Sequence, residues 1–244
     1  MKRYFSYNPQ RFYNLLESSE RFQYAYVETP KVACSTIKYY LQLLEYDGDR
    51  SKVAKNVHIR DQSPIRRINE LNYSEDQITQ LLVGPEYFHF TFVRHPYTRV
   101  LSCYIDKIVQ RTSKTGTDRR FESLGFAPDA DVSFVEFLRA VENQPLHEMD
   151  IHWMPQADIL GVLNGYTYDF IGRFEHFDAD FARVLARLGA PTDWYQAIEN
   201  RQQTVTKAKE KLLEYYTSEA VTLVQEIYAE DFARFGYGYS LDLA

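Results

Sequence analysis

Hydrophobic positions along this chain fall into short compact runs separated by longer stretches of helical periodicity. The runs occupy residues 24–28, 87–93 and 168–172 and are rich in aromatic and β-branched residues. Runs of this length and composition predict buried β-strands.

The stretches between these runs carry apolar stripes that predict helices. Residues Ile37, Tyr40, Leu41 and Leu44, for example, recur at the i, i+3, i+4, i+7 spacing of one buried helical face. Helices are predicted at 12–16, 35–45, 75–83, 96–108, 133–141, 177–188, 207–216 and 218–235.

Because strands alternate with helices, the pattern predicts an α/β fold with a central parallel sheet flanked by helices. A length of 244 residues fits one domain spanning 1–244. Residues 111–131 are charged and contain Gly and Pro, which predicts a mobile surface insertion, and residues 205–237 form a helical C-terminal part.

Composition narrows the range of functions. Hydrophobic residues make up 45% of the chain and charged residues 25%, as in a folded globular protein. The formal net charge of −6 argues against a general nucleic-acid-binding protein, whose surface is basic. Any anionic ligand must therefore be held by local charge.

Cysteine usage and the N-terminus bear on the cellular compartment. The two cysteines, Cys34 and Cys103, do not make a disulfide-rich scaffold. The first residues lack the apolar core of a signal peptide, and no apolar run reaches about 18 residues. We therefore expect a cytoplasmic enzyme without a transmembrane segment; the sequence carries no signal of its oligomeric state.

Two loops, roughly sixty residues apart, follow the first two predicted strands. In the first, Lys31 supplies a positive charge, and Cys34, Ser35 and Thr36 supply hydroxyl or backbone N–H groups where a helix begins. The N–H groups of a first helical turn have no partner inside the helix and favour anions. This loop reads Pro30-Lys31-Val32-Ala33-Cys34-Ser35-Thr36.

The second loop places Arg94 just before Pro96, which suits the first position of a helix. Ser102 follows two turns later on a non-apolar face, with Thr98 and Asp106 as its i−4 and i+4 neighbours. Arginine is suited to bidentate contact with a phosphate, and serine adds a hydroxyl donor. This loop reads Phe92-Val93-Arg94-His95-Pro96-Tyr97-Thr98-Arg99-Val100-Leu101-Ser102-Cys103-Tyr104.

Two phosphate-type sites in one domain indicate a ligand with anionic groups at both ends, which points to a sulfotransferase. Neither loop is a Walker A motif, because G-x-x-x-x-G-K-[ST] is absent. Neither is a Cys-x5-Arg phosphatase loop, because no arginine lies six positions after Cys34 or Cys103.

On these two loops the chain resembles the Golgi carbohydrate sulfotransferases of the chondroitin, dermatan and HNK-1 type and their bacterial relatives. The first loop is similar to that family's 5′-phosphosulfate loop and the second to its 3′-phosphate loop. The resemblance continues through His152-Trp153, the segment 168–175 and the segment 231–237.

The resemblance implies a P-loop-NTPase-like sulfotransferase fold and the donor 3′-phosphoadenosine 5′-phosphosulfate (PAPS), with no metal. Lys31, Cys34, Ser35 and Thr36 would then surround the 5′-phosphosulfate. Arg94 and Ser102 would hold the 3′-phosphate, joined by Arg201, which lies where relatives carry a short Ser/Thr-Arg segment.

Two positions depart from the family pattern. Ala33 replaces the common glycine of the first loop, which tightens the approach of the backbone to a ligand. His95 replaces an acidic residue before Pro96. Neither change removes a ligand-binding group.

The proposed chemistry is an in-line displacement at sulfur, in which Lys31 stabilises charge on the leaving oxygen. The acceptor hydroxyl needs a general base of near-neutral pKa. Among six histidines, His58 lies in the irregular segment between the loops, where relatives place a conspicuous histidine, and we predict that it is the base.

The acceptor is expected to be a hydroxyl of a saccharide or glycolipid. His152 and Trp153 are predicted to bind it, since an aromatic ring beside a histidine suits a sugar face and its hydroxyls. Two alternatives remain open: a nucleotide or sugar kinase, weakened by the missing Walker A motif, and a non-catalytic nucleotide-binding domain.

Overall fold

The computed structural model describes residues 9–59, 63–67, 73–111, 117–191, 193–196, 208 and 210–242. Its strands are β1 (Leu16–Ser19), β2 (Tyr24–Val27), β3 (Arg66–Arg67), β4 (Phe88–Val93) and β5 (Phe170–Arg173). Its α-helices are α1 (Pro9–Leu15), α2 (Cys34–Glu45), α3 (Glu75–Val83), α4 (Pro96–Tyr104), α5 (Thr117–Ser123), α6 (Phe134–Glu142), α7 (Gln156–Ile159), α8 (Phe177–Arg187), α9 (Asp193–Gln196), α10 (Leu212–Tyr215), α11 (Ser218–Ile227) and α12 (Ala229–Phe235).

The chain divides into two compact units. The first contains residues Met1–Val93 and Leu163–Thr204, and the second contains Arg94–Val162 and Val205–Ala244. The expectation of one domain spanning 1–244 stays a prediction.

The first unit is built on a five-stranded sheet in the order β3-β1-β2-β4-β5. Strands β2, β4 and β5 are parallel, with Tyr26 opposite Phe90 and Phe92 opposite Gly172. These are the three strands predicted from the sequence, and the predicted α/β fold is confirmed.

Strands β1 and β3 extend the sheet in a way the sequence did not indicate. Strand β1 pairs antiparallel with both β2 and β3, so the sheet is mixed rather than wholly parallel. Its sequence, Leu-Glu-Ser-Ser, is polar although all four residues are buried. Glu17 tolerates this burial because its carboxylate lies 2.9 Å from the ammonium group of Lys38.

Successive side chains of β2 and β4 point to opposite faces of the sheet, and other elements pack against both faces. Tyr26 and Phe90 stack on one face, with ring centroids 5.1 Å apart, and join a core with α2 and α8. On the opposite face the ring of His89 bonds to the carbonyl of Leu81 in α3 and contacts Tyr166. The loop after β2 leads directly into α2, which packs on the first of these faces.

The second unit is helical. Ring contacts join Tyr97 of α4 to Tyr216 and Phe232, and join Tyr104 to Phe134 and Phe137 of α6. After Tyr104 the helix continues as one π-helical turn, Ile105–Val109, and such turns often mark functional sites.

Three predicted segments of the second unit differ in detail. The region 111–131 contains α5, whose buried Phe121 packs under the guanidinium of Arg111; its mobility stays a prediction. The helix expected at 207–216 is confined to α10 in the described part of the chain. The helix expected at 218–235 is interrupted at Tyr228, so that α11 and α12 are separate.

Among the described residues, none of the helices combines the length and apolarity needed to cross a membrane.

A substitution at Gly172 tests how closely β5 packs against β4. A Cβ atom at this position would overlap the ring of Phe92, which is itself enclosed by Phe170, Phe177 and Phe181. We expect Gly172→Ala to lower the free energy of unfolding by about 1–3 kcal/mol in urea denaturation, because overpacking forces the ring to move. Gly238→Ala is the control: a methyl group added there would have no atom within 4 Å, so its unfolding should be unchanged.

Candidate functional site

The first loop has an unusual backbone. Lys31 has a φ of 70° and Ala33 a φ of 52°, both in the left-handed region that glycine favours. For an L-residue this conformation costs about 1–2 kcal/mol. Strain of this kind concentrates at functional sites, so the loop remains a candidate for ligand binding.

Helices α2 and α4, which follow the two loops, both begin without a side-chain cap and without an acidic residue in the first turn. Every other described helix of eight or more residues has one or the other. Ser74, Ser133 and Thr217 cap α3, α6 and α11, and Asp178 and Asp180 lie in the first turn of α8. The N-termini of α2 and α4 are thus the ones left for an external anion.

The side chains predicted to hold a 5′-phosphosulfate lie together at the start of α2. Lys31, Cys34, Ser35 and Thr36 are all half-buried. Burial, reinforced by the charge of Glu28, raises the pKa of Cys34 to about 12, so this free thiol stays protonated and neutral. Cys34 can therefore contribute its backbone N–H, but it is not a thiolate nucleophile.

Behind this turn lies a buried ionic cluster that sequence reasoning missed. The ammonium group of Lys38, only 1% exposed, lies 2.9 Å from the carboxylate of Glu17 and 2.5 Å from that of Glu28. Burial alone would lower the pKa of Lys38, but the two carboxylates more than offset this and raise it. Lys38 is therefore permanently charged.

His58 is held beside the same turn. Its Nε2 lies 2.8 Å from the hydroxyl of Ser35, and its Nδ1 lies 3.5 Å from the ammonium group of Lys38. Gln42 of α2 donates to the carbonyl of Val57, which fixes the preceding residue. The first unit therefore brings His58 to the predicted phosphosulfate loop, as its candidacy for general base requires.

In the second unit, Arg94 is buried and its position is closely determined. Its Nε donates to the hydroxyl of Thr98 at 3.0 Å. Its peptide group is bracketed by Gln156, which accepts from the Arg94 N–H and donates to the Arg94 carbonyl, both at 2.9 Å. Ser102 is also buried, further along the same helix.

Gln156 is held in turn by Asp231 of α12. The carboxylate of Asp231 accepts from the backbone N–H groups of Gln156 and Ala157 and from the Gln156 side chain. Burial raises the pKa of Asp231, although the charge of Arg99 and these hydrogen bonds counteract it. A buried polar chain thus connects the C-terminal helix to the Arg94 turn.

His152 belongs to a separate cluster in the second unit. Its Nδ1 lies 2.5 Å from Oδ1 of Asp150, whose Oδ2 accepts from Arg120 at 3.1 Å. Burial alone would raise the pKa of Asp150, but hydrogen bonds from His152 and the charge of Arg120 hold it below its usual value. Asp150 is therefore an ionised partner for the imidazole.

Trp153 anchors the same segment from inside. It is 0% exposed, and its indole N–H donates to the side chain of Gln144 at 2.8 Å. Its predicted contact with a sugar would require the ring to leave the core, so His152 is the accessible member of the predicted pair. Arg201, assigned to the 3′-phosphate, lies outside the described residues.

The model of the sulfotransferase family described as Sulfotransfer_2 matches residues 17–238, which include both loops and the His152 segment. The chain belongs to this sulfotransferase family.

Similar sequences within this group are carbohydrate sulfotransferases. The chain is 32% identical to carbohydrate sulfotransferase 14 of Danio rerio over 91% of its own length and 61% of the relative. It is 31% identical to the Homo sapiens protein of that name, over 90% and 59%, and 24% identical to carbohydrate sulfotransferase 11 of Rattus norvegicus, over 91% and 66%. The chain thus spans about three fifths of the first two relatives. No solved structure matches it.

Several site residues of this sulfotransferase-family chain were not found from its sequence. Asp150 could have been, since an aspartate side chain commonly accepts a hydrogen bond from the backbone two residues further on, here from the N–H of His152. Lys38 gave a weaker signal, because it is a lysine directly beside the apolar stripe of α2. Gln156 and Asp231 are 75 residues apart, so only the fold could join them.

Ala33 provides a test of loop strain. We expect Ala33→Gly to raise the free energy of unfolding by up to about 1 kcal/mol, because glycine adopts the left-handed backbone without steric cost. The measurement is urea denaturation. Ala186→Gly, on the exposed face of α8, is the matched control and should destabilise by about 1 kcal/mol. Equal losses in both variants would contradict the strained loop.

Asp158, two residues after Gln156, gives a pH-dependent prediction. Burial and the charges of Asp231 and Glu230 raise the pKa of Asp158 to about 6. Because the folded pKa exceeds the unfolded value of about 3.9, ionising this group weakens the fold as pH rises from about 4 to 6.

The free energy of unfolding of Asp158→Asn should therefore exceed that of the parent by about 1 kcal/mol at pH 8, after allowance for solvent screening of this half-buried group. Near pH 4 the two proteins should be equally stable. Urea denaturation at the two pH values measures the difference. Asp129→Asn, at an exposed position outside the helices of the same unit, is the control and should match the parent at both pH values. A variant no more stable than the parent at pH 8 would contradict the raised pKa.

Proposed function

We propose that this protein transfers a sulfuryl group from PAPS to a hydroxyl of a carbohydrate acceptor. The observation that carries the proposal is the pair of helices, α2 and α4, that begin with neither a cap nor an acidic residue and are preceded by Lys31 and Arg94 respectively. Membership of the sulfotransferase family supports the same reaction.

The loop before α2 is proposed to take the 5′-phosphosulfate. The first-turn N–H groups of Cys34 and Ser35 have the direction and polarity that an anion requires. The N–H of Thr36 donates to the carbonyl of Ala33 at 2.9 Å, so Thr36 is proposed to contribute its hydroxyl group. Lys31 adds a positive charge, and the hydroxyl of Ser35 adds a donor that His58 orients. The left-handed backbone at Ala33 turns the chain sharply into the helix.

Arg94 and Ser102 are proposed to hold the 3′-phosphate. The hydrogen bond from Arg94 Nε to Thr98 fixes the plane of the guanidinium, and Gln156 fixes its backbone. A guanidinium in a fixed plane can make two parallel bonds to one phosphate, which a lysine cannot. This group distinguishes PAPS from nucleotides that lack a 3′-phosphate. Arg201 stays a prediction for the same role.

In the proposed reaction the acceptor oxygen attacks sulfur in line with the departing 5′-phosphate. Charge grows on the leaving oxygen, and Lys31 together with the helix N-terminus would stabilise it. The protein's part in this reaction is positioning and charge neutralisation, and no step is assigned to a metal ion.

A saccharide hydroxyl is proposed as the acceptor because the relatives named above are carbohydrate sulfotransferases. His152, half-buried beside Asp150, is the side chain of the predicted acceptor pair that reaches solvent. A glycolipid presents the same sugar hydroxyls, so it belongs to the same proposal. The cytoplasmic location stays a prediction.

The donor is tested by calorimetric titration with adenosine 3′,5′-bisphosphate, and with ADP in parallel, without metal. We expect micromolar binding selective for the bisphosphate. Lys31→Ala and Arg94→Ala should each weaken it by about 10–100-fold, the worth of a hydrogen bond to a charged group. Lys52→Ala, an exposed charge in the first unit, is the control.

Equal binding of ADP, or no binding of either nucleotide, would contradict the proposed donor. Magnesium-dependent turnover of ATP would instead favour a kinase. Tight bisphosphate binding without transfer from PAPS to any acceptor would favour a non-catalytic nucleotide-binding domain.

A further inference from the structure

A pair of adjoining clefts lies at the edge of the sheet from which the parallel strands start. Gln23, Tyr87 and Asp169 come directly before β2, β4 and β5, respectively. Because these strands are parallel and lie in the order β2-β4-β5, the three residues are neighbours along one edge. The loop before α2 follows the opposite end of β2, so roughly 15 Å, the length of a short strand, separates it from the clefts.

The first cleft has a volume of about 240 Å³ and is lined by α3 and by the turn from β1 to β2. Five of its lining residues carry a carboxylate or a side-chain amide: Glu20, Gln23, Gln77, Gln80 and Glu86. Gln77 and Gln80 are three positions apart, so both project from one face of α3. The cleft therefore offers hydrogen-bond donors and acceptors on planar side chains.

The second cleft has a volume of about 200 Å³ and is lined by the end of α3 and by the segment before β5. Three tyrosines contribute to it, Tyr87, Tyr166 and Tyr168, and the rings of the last two meet edge to face with centroids 5.0 Å apart. Asp169 is anchored because its Oδ2 accepts from the backbone N–H of His89 at 2.8 Å, yet its side chain is 56% exposed. This cleft therefore combines aromatic surface with a carboxylate that a ligand can reach.

The two clefts adjoin at Tyr87, which lines both, and together they form the Tyr87 groove. All of its lining residues belong to the first unit. Each cleft alone is smaller than the roughly 300–1,000 Å³ of ordinary small-molecule sites, whereas the two together fall within that range. The groove therefore suits a ligand made of two small units.

The lining of the Tyr87 groove matches the chemistry of a sugar. A pyranose ring has a face of C–H groups and a rim of hydroxyl groups, each able to donate and to accept a hydrogen bond. Tyrosine offers an apolar ring to such a face and a hydroxyl group at its tip. Carboxylates accept from hydroxyl groups, and amides both donate and accept. Two linked sugar units would thus find a ring surface and polar partners in each half of the groove.

Glu86 supplies an acceptor that the described residues leave unused. Its Oε1 is enclosed, and none of the described residues donates a hydrogen bond to it, although enclosed polar atoms normally have a partner. A Cβ atom at Gly84 would lie 2.7 Å from this oxygen, so the glycine keeps room for the carboxylate. Because Glu86 lines the first cleft, a hydroxyl group bound there is a donor of the required kind.

The charge of the groove selects a neutral sugar. Glu20, Glu86 and Asp169 are acidic, and the described lining residues include no lysine or arginine. A uronic acid or a sulfated sugar would therefore meet like charge, which disfavours binding. The lining does not suit a metal ion either, because in the described part of the chain no group of three or more His, Cys, Asp or Glu side chains is placed to hold one.

We propose that the Tyr87 groove binds two neighbouring units of a neutral saccharide, at a site separate from that of the proposed sulfuryl transfer. The tyrosine rings contact the sugar faces, and the carboxylates and amides bond to the hydroxyl groups. A saccharide in this groove is held rather than modified, because the loop before α2 lies at the other end of the strands. None of these residues is assigned to donor binding, so the proposal stands whether or not PAPS is the donor.

The groove is tested by proton–nitrogen correlation NMR of the intact protein, titrated with hexasaccharides. The neutral probes are the hexamers of glucose, galactose, mannose and N-acetylglucosamine, and the anionic probe is unsulfated chondroitin hexasaccharide. We expect at least one neutral hexamer to bind with a dissociation constant of about 0.1–1 mM and to shift the amide signals of residues 20–23, 77–87 and 165–169. Chondroitin should bind there at least about tenfold more weakly. Saturating adenosine 3′,5′-bisphosphate should leave these shifts unchanged.

Two variants connect the binding to the groove. Gln80→Ala removes an exposed amide and should weaken binding by about fivefold, the worth of one hydrogen bond. Tyr87→Ala removes the ring shared by both clefts and should weaken binding by about tenfold or more. If Tyr87→Ala does not fold, Gln80→Ala carries the test. Asp76→Ala, at an exposed position of α3 outside the lining, is the matched control and should bind like the parent.

Three results would overturn the proposal. They are no binding of any neutral hexamer up to about 10 mM, signal shifts confined to other parts of the protein, and an affinity that both groove variants leave unchanged. Equal binding of chondroitin in the groove would overturn the assignment to neutral sugars. Failure of the proposed donor site is read separately, from the calorimetric titration with the bisphosphate, and changes none of these outcomes.

Discussion

The structure around the loop before α2 depends on the buried ion pairs between the ammonium group of Lys38 and the carboxylates of Glu17 and Glu28. These ion pairs join β1, the end of β2 and α2, and Lys38 also reaches His58. Removing water from three charged groups is costly, and removal of one partner from such a cluster typically costs about 3–5 kcal/mol. The cluster therefore fixes this geometry more than it adds net stability, and it explains why a polar strand such as β1 can be buried at the edge of a parallel core.

In the second unit, hydrogen bonds rather than ion pairs hold the candidate site residue Arg94 in position. Asp231 holds Gln156, and Gln156 holds the peptide of Arg94, so the guanidinium is positioned from a helix far along the chain. Buried networks of this kind are favourable only when every member is satisfied. In each unit, the loop expected to meet an anion thus lies beside buried polar groups, which are the Lys38 cluster in the first unit and Gln156 with Asp231 in the second. Buried neighbours of this kind keep the donors pre-organised.

Much of the fold could be predicted from the sequence, because the patterns that specify these elements are local. Short hydrophobic runs predicted β2, β4 and β5. Two helix starts were predicted by the capping residues Ser74 and Ser133, which lie next to the helices that they cap. Strand β1 was missed because its burial depends on Lys38, about twenty residues away. The two loops could be recognised because each is one continuous stretch of sequence. The pairing of Gln156 with Asp231 could not, because these residues are 75 positions apart. Trp153 looked like a sugar platform in sequence, yet the fold places it in the core, since composition alone does not reveal which side of a turn faces solvent.

The central claim is that separate groups recognise the two ends of one donor. The most direct test compares the affinities of adenosine 3′,5′-bisphosphate and adenosine 5′-monophosphate for the parent protein, Lys31→Ala and Arg94→Ala. We predict that the advantage of the bisphosphate, which reports the 3′-phosphate alone, persists in Lys31→Ala and disappears in Arg94→Ala. An advantage that survives in Arg94→Ala, or is lost in Lys31→Ala, would contradict the assignment of the two loops.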